Sequence, residues 1–389
     1  MNVVVIGGSG RVGHRFITEI ASHPHVRITV ADRVPPRDPA LAHVELDLGD
    51  PASLRRALTG ADVVVNTAGP YDRWGTIVLD AAIEAGVDYV DVCDDPVPTL
   101  ALLDRDAAAR AAGIRAVVGL GVSPGLTNFL AVIAARELDQ TDLLATFWGD
   151  SAEGMDEPTA RSHAAGLAAA FRQGRAAYTH LVTQTSSIVP VWRDGGLVDE
   201  RAWVTAYRVS TSNDETGVYR VIGHPEPVTV PHTAPARDCI NIGTVNAGTD
   251  RLMLPFLARV AAGELTEDDA LTAIADALDA DPTALASERT GAPLRRMIGA
   301  AAVGTRAGSP DGIVVFPSCP VGGSMSLETA RPAVVGVLDL ADAPVGVHAP
   351  EAAFDAETYL AHYAAEYGDG GPGWIADWAG PTAVVEVAS

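Results

Sequence analysis

The sequence predicts an α/β protein with a doubly wound parallel sheet in its first third, then a second α+β domain with a mixed or antiparallel sheet. Three observations carry this reading. From Val3 to Val118, short β-branched runs alternate with segments of helical period, the pattern of strands buried on both faces beneath helices. A glycine loop, Gly8-x-Gly10-x-x-Gly13, stands between the first run and the first helical segment. From about Thr146 to Val245 the segments lengthen and carry Thr, Val, Tyr and Trp at near-alternate positions, as antiparallel strands do.

Residues 3–6 form a continuous apolar run, the first strand. Val12, Phe16, Ile17 and Ile20 then share one helical face. Residues 26–31 read as a second strand ending at Asp32, and residues 44–46 as a third. Asp50 is an N-cap with Pro51 at the first helical position and Gly60 past the end. Residues 63–65 make a fourth strand that runs into Asn66-Thr67-Ala68-Gly69-Pro70. A helix over 77–84 stops at Gly86, and strands follow at 89–92 and 115–118. In the second domain a helix at 164–172 interrupts strands, two of which read at 203–209 and 219–222. Thr266 and Asp269 form a capping box ahead of Leu271, Ile274 and Leu278. Residues 313–316 and 333–338 read as strands. Asp355 caps a last helix through Tyr363, ending near Gly368, and the glycine-rich stretch 368–373 is expected to be mobile or wrapping.

Composition excludes several function classes. With 48% hydrophobic and 20% charged residues the chain is an ordinary globular one. Its net charge of −23 repels nucleic-acid backbones and anionic membrane surfaces. There is no lysine, so all 27 basic residues are arginine. That removes Schiff-base chemistry, the Walker A lysine and the Tyr-x-x-x-Lys pair, because an arginine does not give up its proton. Cys93, Cys239 and Cys319 are far apart and never spaced CxxC, which suggests a reducing compartment without a disulfide framework or structural zinc. No HxxxH or Asp-x-Asp-x-Asp-Gly pattern occurs, so no metal is expected. The opening Met1-Asn2-Val3 has no basic segment ahead of an apolar one, and no run reaches the ~18 apolar residues of a membrane helix. A cytoplasmic location is expected.

The glycine loop between strand and helix is a dinucleotide fingerprint of the Rossmann type. Gly8 is assigned the tight turn, Gly10 the close approach of backbone to a pyrophosphate, and Gly13 the packing of helix on strand. Ser9, Arg11 and Val12 complete the loop, whose helix start offers N–H groups and a positive dipole end to phosphate. Asp32, ending the second strand, is placed to accept from both ribose hydroxyls of NAD and to repel the 2′-phosphate of NADP. Arg33 beside it can bind that phosphate or stack on adenine. NAD is therefore expected, with NADP possible. Asp47 after the third strand is a candidate acceptor for the adenine amino group. Ala68, Gly69 and Pro70, at the fourth-strand rim, would let the nicotinamide half pass close to backbone.

The loop, Asn66-Thr67-Ala68-Gly69-Pro70-Tyr71, Tyr89-Val90-Asp91, Gly121-Val122-Ser123-Pro124-Gly125-Leu126-Thr127-Asn128 and the late Gly346-Val347-His348-Ala349-Pro350-Glu351 together resemble the saccharopine dehydrogenase family. The resemblance is sharp over about residues 1–130 and moderate near 310–366. It implies a Rossmann domain at 1–127, a substrate and dimerisation domain with a mixed sheet at 128–330, and a segment at 331–389 returning to the first domain. Members interconvert an amine and an imine with a nicotinamide cofactor, and one branch reduces carbon–carbon double bonds in lipid assembly. The substrate-domain motifs of saccharopine reductases are not evident here.

Hydride transfer to an imine needs a placed nicotinamide, a proton source and anchors for substrate carboxylates. Oxidising an amine needs a base, because an ammonium has no lone pair to expel hydride. The catalytic candidates are Asp94, just past the fifth strand, His163, titratable near neutral pH, and Asn128. The substrate candidates are Tyr71 and Trp74 as pocket walls, Ser123 beside Asn128 on a loop that in this family faces the nicotinamide, and Arg161 and Arg237 as carboxylate grips. His180, His224 and His232 are further titratable groups, and His224-Pro225-Glu226-Pro227 reads as a shaped loop. The expectation is an NAD(P)-dependent oxidoreductase acting on a small amino acid-derived amine or imine, as a homodimer. The alternatives are an enoyl or carbonyl reductase and a non-catalytic nucleotide-binding subunit.

Overall fold

A computed structural model describes residues 1–149, 154–173, 176–288, 294, 296, 298–319, 321, 323–368 and 370–387. The chain divides into two compact units. One comprises Met1–Ile133 and Pro317–Ile375, the other Ala134–Phe316 and Ala376–Ser389. Of the late segment expected to return to the first domain, the part beyond Ile375 therefore joins the second unit. There Val384–Val387 pairs antiparallel with the strand Ala206–Ser210.

The first unit is built on a parallel sheet. Its strands are β1 (Asn2–Ile6), β2 (Arg27–Asp32), β3 (Ala42–Glu45), β4 (Val63–Asn66), β5 (Asp88–Asp91) and β6 (Arg115–Val117), joined late in the chain by Gly346–His348. The order across the sheet is Gly346–His348, β6, β5, β4, β1, β2, β3. Every pairing is parallel, and the order reverses between β1 and β4. That reversal is where open α/β sheets bind ligands. The central strands are β-branched because both faces are covered. Val3, Val4, Val5, Ile6, Val63, Val64 and Val65 are all buried, and each such side chain contributes roughly 1.5–3 kcal/mol.

The helices of this unit follow their sequence signals closely. They are α1 (Arg11–Ile20), α2 (Pro51–Leu58), α3 (Tyr71–Ala85), α4 (Pro96–Leu103), α5 (Asp106–Ala112) and α6 (Leu126–Arg136). Phe16, Ile17 and Ile20 form the buried face of α1. Asp50 caps α2 by accepting from the Ala52 N–H. Gly86, at φ 67°, ends α3 in the left-handed conformation that only glycine adopts cheaply. Residues 333–338, read as a strand, are instead the end of the helix Met325–Leu338. Ala333, Val334, Val335 and Val337 are all buried, and a helix covered on every side loses the one-sided period that distinguishes it from a strand.

The second unit holds a ten-stranded sheet with a central path Trp374–Trp378, Ser309–Pro317, Ile298–Arg306, Gln140–Gly149, Asp238–Thr244, Thr216–Val221, Ala206–Ser210 and Val384–Val387. Gln140–Gly149 and Asp238–Thr244 run parallel, while the flanking pairs are antiparallel. The hairpin Ile188–Arg193 with Gly196–Arg201 branches from Asp238–Thr244. Phe147, Tyr207, Tyr219, Ile240, Ile242 and Phe316 belong to one core. A second core gathers apolar residues of the helices Glu157–Arg172, Ala176–Ser186, Ala247–Ala261 and Glu267–Ala280. Thr266 caps the last of these through the Asp269 N–H. The strand expected at 203–209 begins only at Ala206, because Trp203 sits at φ 63° and turns the chain. The glycine-rich stretch after the last helix is tied down: Gly370 N–H donates to the Ala364 carbonyl and the Gly373 carbonyl accepts from Ser318 N–H.

Candidate functional site

The turn after β1 carries the strongest site geometry in the first unit. Gly7, at φ 75°, makes the left-handed turn, a role the motif gave to Gly8. Gly8 instead serves packing, since a Cβ there would stand 2.9 Å from Val30 and 3.0 Å from Ile17. Gly13 is the most crowded of the four, because its Cβ would meet the Gly7 carbonyl oxygen at 2.4 Å and Gly8 Cα at 2.7 Å. Gly10 is the opposite case: a Cβ there meets only the Gly7 oxygen, at 3.0 Å. Gly10 is also the N-cap of α1, with no side-chain cap. The first N–H groups of a helix have no partner inside it, which leaves those at the start of α1, beside the uncrowded Gly10, available to an anion. This cradle fits a pyrophosphate.

Asp32 closes the loop from the β2 side. Its Oδ2 accepts from Ser9 N–H at 3.0 Å and its Oδ1 from Val34 N–H at 3.1 Å, while Ser9 Oγ donates to the Val34 carbonyl. The carboxylate thus fixes the glycine loop against the strand end where a ribose would lie. Arg33 is exposed. Asp47 is exposed too and accepts from Gly49 N–H at 2.9 Å in the turn before α2. On the β4 side, Thr67 Oγ1 donates to the Ile6 carbonyl and Ala68 N–H to Asn66 Oδ1. Gly69-Pro70 carries the chain from that rim into α3, with Pro70 as N-cap.

The next rim is a buried polar network. Tyr71 hydroxyl donates to the Asn66 carbonyl at 2.7 Å and accepts from Val92 N–H. Tyr89 hydroxyl donates to Asp91 Oδ2 at 2.7 Å, and Asp91 Oδ1 accepts from Cys93 N–H and Gly119 N–H. Asp91 therefore ties together the chain leaving β5 and the chain leaving β6. Burial pushes its carboxyl up to about 6 against those hydrogen bonds, and burial with the Asp91 charge pushes the Tyr71 phenol well above its ordinary range. Asp94 is half-buried just beyond. Trp74 is half-buried with the Arg73 guanidinium 4.3 Å above its ring.

In the loop before α6, Gly125 at φ 117° leaves no room for a Cβ against Gly121. Asn128 is fully buried. Its Oδ1 accepts from Gly125 N–H and its Nδ2 donates to Glu351 Oε2, both at 2.8 Å. Ser123 is half-buried at the tip. Asn128 thus joins this loop to the late segment Pro350–Ala353.

The second-unit candidates are less concentrated. Arg161 and His163 are both exposed on the helix Glu157–Arg172. Arg237 is on the surface, paired with Asp142 at 3.5 Å and Asp238 at 3.3 Å. The polar residues that this unit does bring together are Thr146, Asn241, Glu226 and His224, all buried. Asn241 Nδ2 donates to Thr146 Oγ1 at 2.8 Å and to Glu226 Oε1 at 3.1 Å. Glu226 Oε2 stands 3.3 Å from His224 Nδ1. Sequence reasoning singled out His163 over His224. The available signal was the His-x-Glu spacing inside His224-Pro225-Glu226-Pro227, where two prolines fix the backbone around a carboxylate and an imidazole.

The parallel sheet with its order reversal, and the glycine cradle beside it, define a dinucleotide-binding protein of the Rossmann class. Residues 3–117 match the family model described as the saccharopine dehydrogenase NADP binding domain. Over the whole of both chains the fold is similar to saccharopine dehydrogenase (L-Glu forming) from Saccharomyces cerevisiae, with a TM-score of 0.60 and 16% identity. Carboxyaminopropylagmatine dehydrogenase of Synechocystis is 32% identical over 83 residues, 20% of this chain and 20% of that protein. The trans-acting enoyl reductase of Mycobacterium ulcerans is 28% identical over 158 residues, 37% of this chain and 38% of that protein. The chain thus matches between about a fifth and two fifths of these curated relatives' lengths. Among the described residues no helix is long and apolar enough to cross a membrane.

Proposed function

We propose that the protein is an NAD(P)-dependent oxidoreductase that interconverts an amine and an imine on a small amino acid-derived substrate. The open cradle at Gly10, closed on one side by Asp32 and on the other by Thr67 and Ala68, carries the nicotinamide-dependent part of this reading, and the likeness to carboxyaminopropylagmatine dehydrogenase supports the amine–imine part. When bound there, a nicotinamide dinucleotide would supply the hydride chemistry. The chain's part is to hold it: backbone N–H groups at the start of α1 for the pyrophosphate, Asp32 and Arg33 at the ribose, Asp47 toward the adenine, and the small rim of Ala68, Gly69 and Pro70 at the nicotinamide. Asp94, Ser123, Tyr71 and Trp74 are the first-unit side chains we assign to the substrate end. Asn128 is assigned to shaping its loop. In the second unit the exposed Arg161, His163 and Arg237 remain candidates for gripping substrate carboxylates or handling protons.

The test is a screen of NADH and NADPH oxidation against pairs of keto acid and amine, with lysine and NAD in the reverse direction. Turnover that requires both amine and keto acid is expected. A second reading, enoyl reduction, draws on the alignment with the mycobacterial enoyl reductase, and turnover of an enoyl thioester but of no keto acid–amine pair would select it. We also propose a cytoplasmic location and a homodimer, the latter tested by sedimentation.

NAD(H) is expected to be preferred over NADP(H) by about tenfold. Phosphorylating the ribose removes a hydrogen bond to Asp32 worth roughly 1.5–3 kcal/mol, and salt screens what an exposed Arg33 regains. Asp32→Ser should shrink or invert the ratio of kcat/KM values. It should also lower affinity for both cofactors, because Ser9 N–H loses its acceptor. A wild-type preference for NADPH would show that Asp32 serves its loop alone.

A further inference from the structure

We propose that the second unit carries a binding cleft for a small aliphatic carboxylate, with Arg201 as the anion grip and Trp203 as a fixed wall. The cleft has a volume of about 330 Å³, within the roughly 300–1,000 Å³ of small-molecule sites. It lies where the end of the helix Ala176–Ser186, the turn after the strand Gly196–Arg201 and the helix Ala247–Ala261 meet. All three belong to the second unit.

The body of the cleft is apolar. Leu254, Leu257, Ala258 and Ala261 line it from one helix, at the i, i+3, i+4, i+7 spacing of a single helical face. Such a stripe ordinarily turns to a core, yet Leu254 is 38% exposed, and Val204 in the facing turn is 51% exposed. Thr185 and Ser186 also line the cleft. Their hydroxyls donate back into their own helix, to the Leu181 and Val182 carbonyls, so that wall offers a ligand no hydroxyl proton. From Leu254 to Ala261 the stripe runs about 10 Å along the helix axis, about the length of an extended eight-carbon acid.

Trp203 is held there against its own backbone preference. It sits at φ 63°, a left-handed conformation that is an outlier for a bulky side chain. Strain of this kind persists where the surroundings fix it, and it clusters at ligand clamps. Trp203 N–H donates to the Val221 carbonyl at 2.7 Å, and its indole N–H donates to Asp250 Oδ1 at 2.8 Å. Arg220 in turn stands 3.5 Å from Asp250 Oδ2. The ring is thus locked as a buried wall of the cleft before any ligand arrives.

Arg201 sets the charge of the ligand. It is exposed and, among the described residues, forms no ion pair. The neighbouring carboxylates are already engaged, Asp250 with Arg220 and Glu200 with Arg193 at 2.8 Å. One guanidinium neutralises one negative charge, and its planar fork matches a carboxylate in bidentate geometry. A phosphate dianion would call for a second cation, and among the described residues no other arginine and no histidine lines the cleft. An aliphatic monocarboxylate satisfies both halves, its head on Arg201 and its tail along Leu254–Ala261.

Calorimetry on the full chain tests this, with octanoate, butyrate and octan-1-ol as probes and no turnover required. Octanoate is expected to bind with a dissociation constant below about 1 mM. Butyrate should bind at least tenfold more weakly, having four fewer methylenes to bury, and octan-1-ol at least tenfold more weakly, having no charge for Arg201. Raising salt from about 0.1 M to about 1 M should weaken octanoate several-fold and leave octan-1-ol unchanged. Arg201→Ala should cost octanoate about tenfold or more and spare octan-1-ol. Ala258→Phe, at an exposed position of the helix, should fill the cleft and weaken both by at least tenfold. NADH affinity and melting temperature should be kept in both variants. Absence of saturable octanoate binding, octan-1-ol binding as tightly as octanoate, or octanoate binding untouched by both substitutions overturns the proposal. Self-association that Ala258→Phe abolishes, with no octanoate bound by the wild type, gives the cleft to a second copy of the chain and overturns it as well. The chain-length and salt series use the wild type alone, so they decide the matter even where a variant fails to fold.

Discussion

Gly10→Val is expected to weaken NADH and NADPH binding at least a hundredfold while moving the melting temperature by no more than about 2–4 °C. Gly10 has φ −70° and ψ 178°, a region that valine favours, so the backbone does not resist the change. The new Cβ meets one atom, the Gly7 oxygen at 3.0 Å, and the turn can yield a few tenths of an ångström. The rest of the side chain extends over the start of α1, where the pyrophosphate would have to lie. Losing charge-assisted hydrogen bonds worth roughly 1.5–3 kcal/mol each accounts for a hundredfold, which is about 2.7 kcal/mol. Gly13→Ala makes the contrast. Its Cβ would sit 2.4 Å and 2.7 Å from backbone atoms of Gly7 and Gly8, which no rotamer relieves. Overpacking of this kind costs about 1–3 kcal/mol, or roughly 2–4 °C of melting temperature per kcal/mol in a unit of this size. Calorimetry and thermal melts on both variants separate the two roles. Normal cofactor binding by Gly10→Val would end the pyrophosphate assignment, and an unshifted melt for Gly13→Ala would end the packing one.

The first unit was legible because its signals are local. A buried β-branched strand, a glycine loop, the cap at Asp50 and the left-handed stop at Gly86 each depend on a few neighbouring residues, and the structure places them where those residues require. Where the structure departs from the sequence reading, the missing information was long-range. Residues 333–338 look like a strand because burial on every side of a helix erases its period. Gly8 and Gly7 exchanged roles because only the packing of Val30 and Ile17 against the loop tells them apart. The buried His224–Glu226–Asn241–Thr146 chain was out of reach for the same reason: its members come from two strands and a short helical turn far apart in sequence, and their adjacency follows from register. His163 drew attention as a titratable residue beside Arg161, yet both point outward.

Asp91→Asn is expected to abolish a fall in stability that the wild type shows as pH rises from about 4 to about 6.5. Asp91 is fully buried and its carboxyl is pushed up to about 6, whereas an aspartate in an unfolded chain titrates near 3.9. Between those values the folded protein holds a proton that the unfolded chain has released. Stability therefore decreases with rising pH across this window and levels off above it. The total is up to about 3 kcal/mol, from roughly two pK units at 1.36 kcal/mol each. Asp106, Asp156 and Asp281 are held below the ordinary range by hydrogen bonds. They act in the opposite sense, giving stability that is lost as pH falls below about 4, so their window is separate. General repulsion from the net charge of −23 is nearly common to both proteins and drops out of the difference. The absolute stability of Asp91→Asn is a poorer guide. Its amide would face the Tyr89 hydroxyl, which already accepts from Asn66, and crowding two donors onto one hydroxyl costs about 1–3 kcal/mol. The slope is the readout: urea unfolding at half-unit steps from pH 4 to 7 should give a falling curve for the wild type and a flatter one for the variant. Parallel curves would mean that Asp91 is ionised throughout, its charge carried by the Cys93 and Gly119 N–H groups and the Tyr89 hydroxyl.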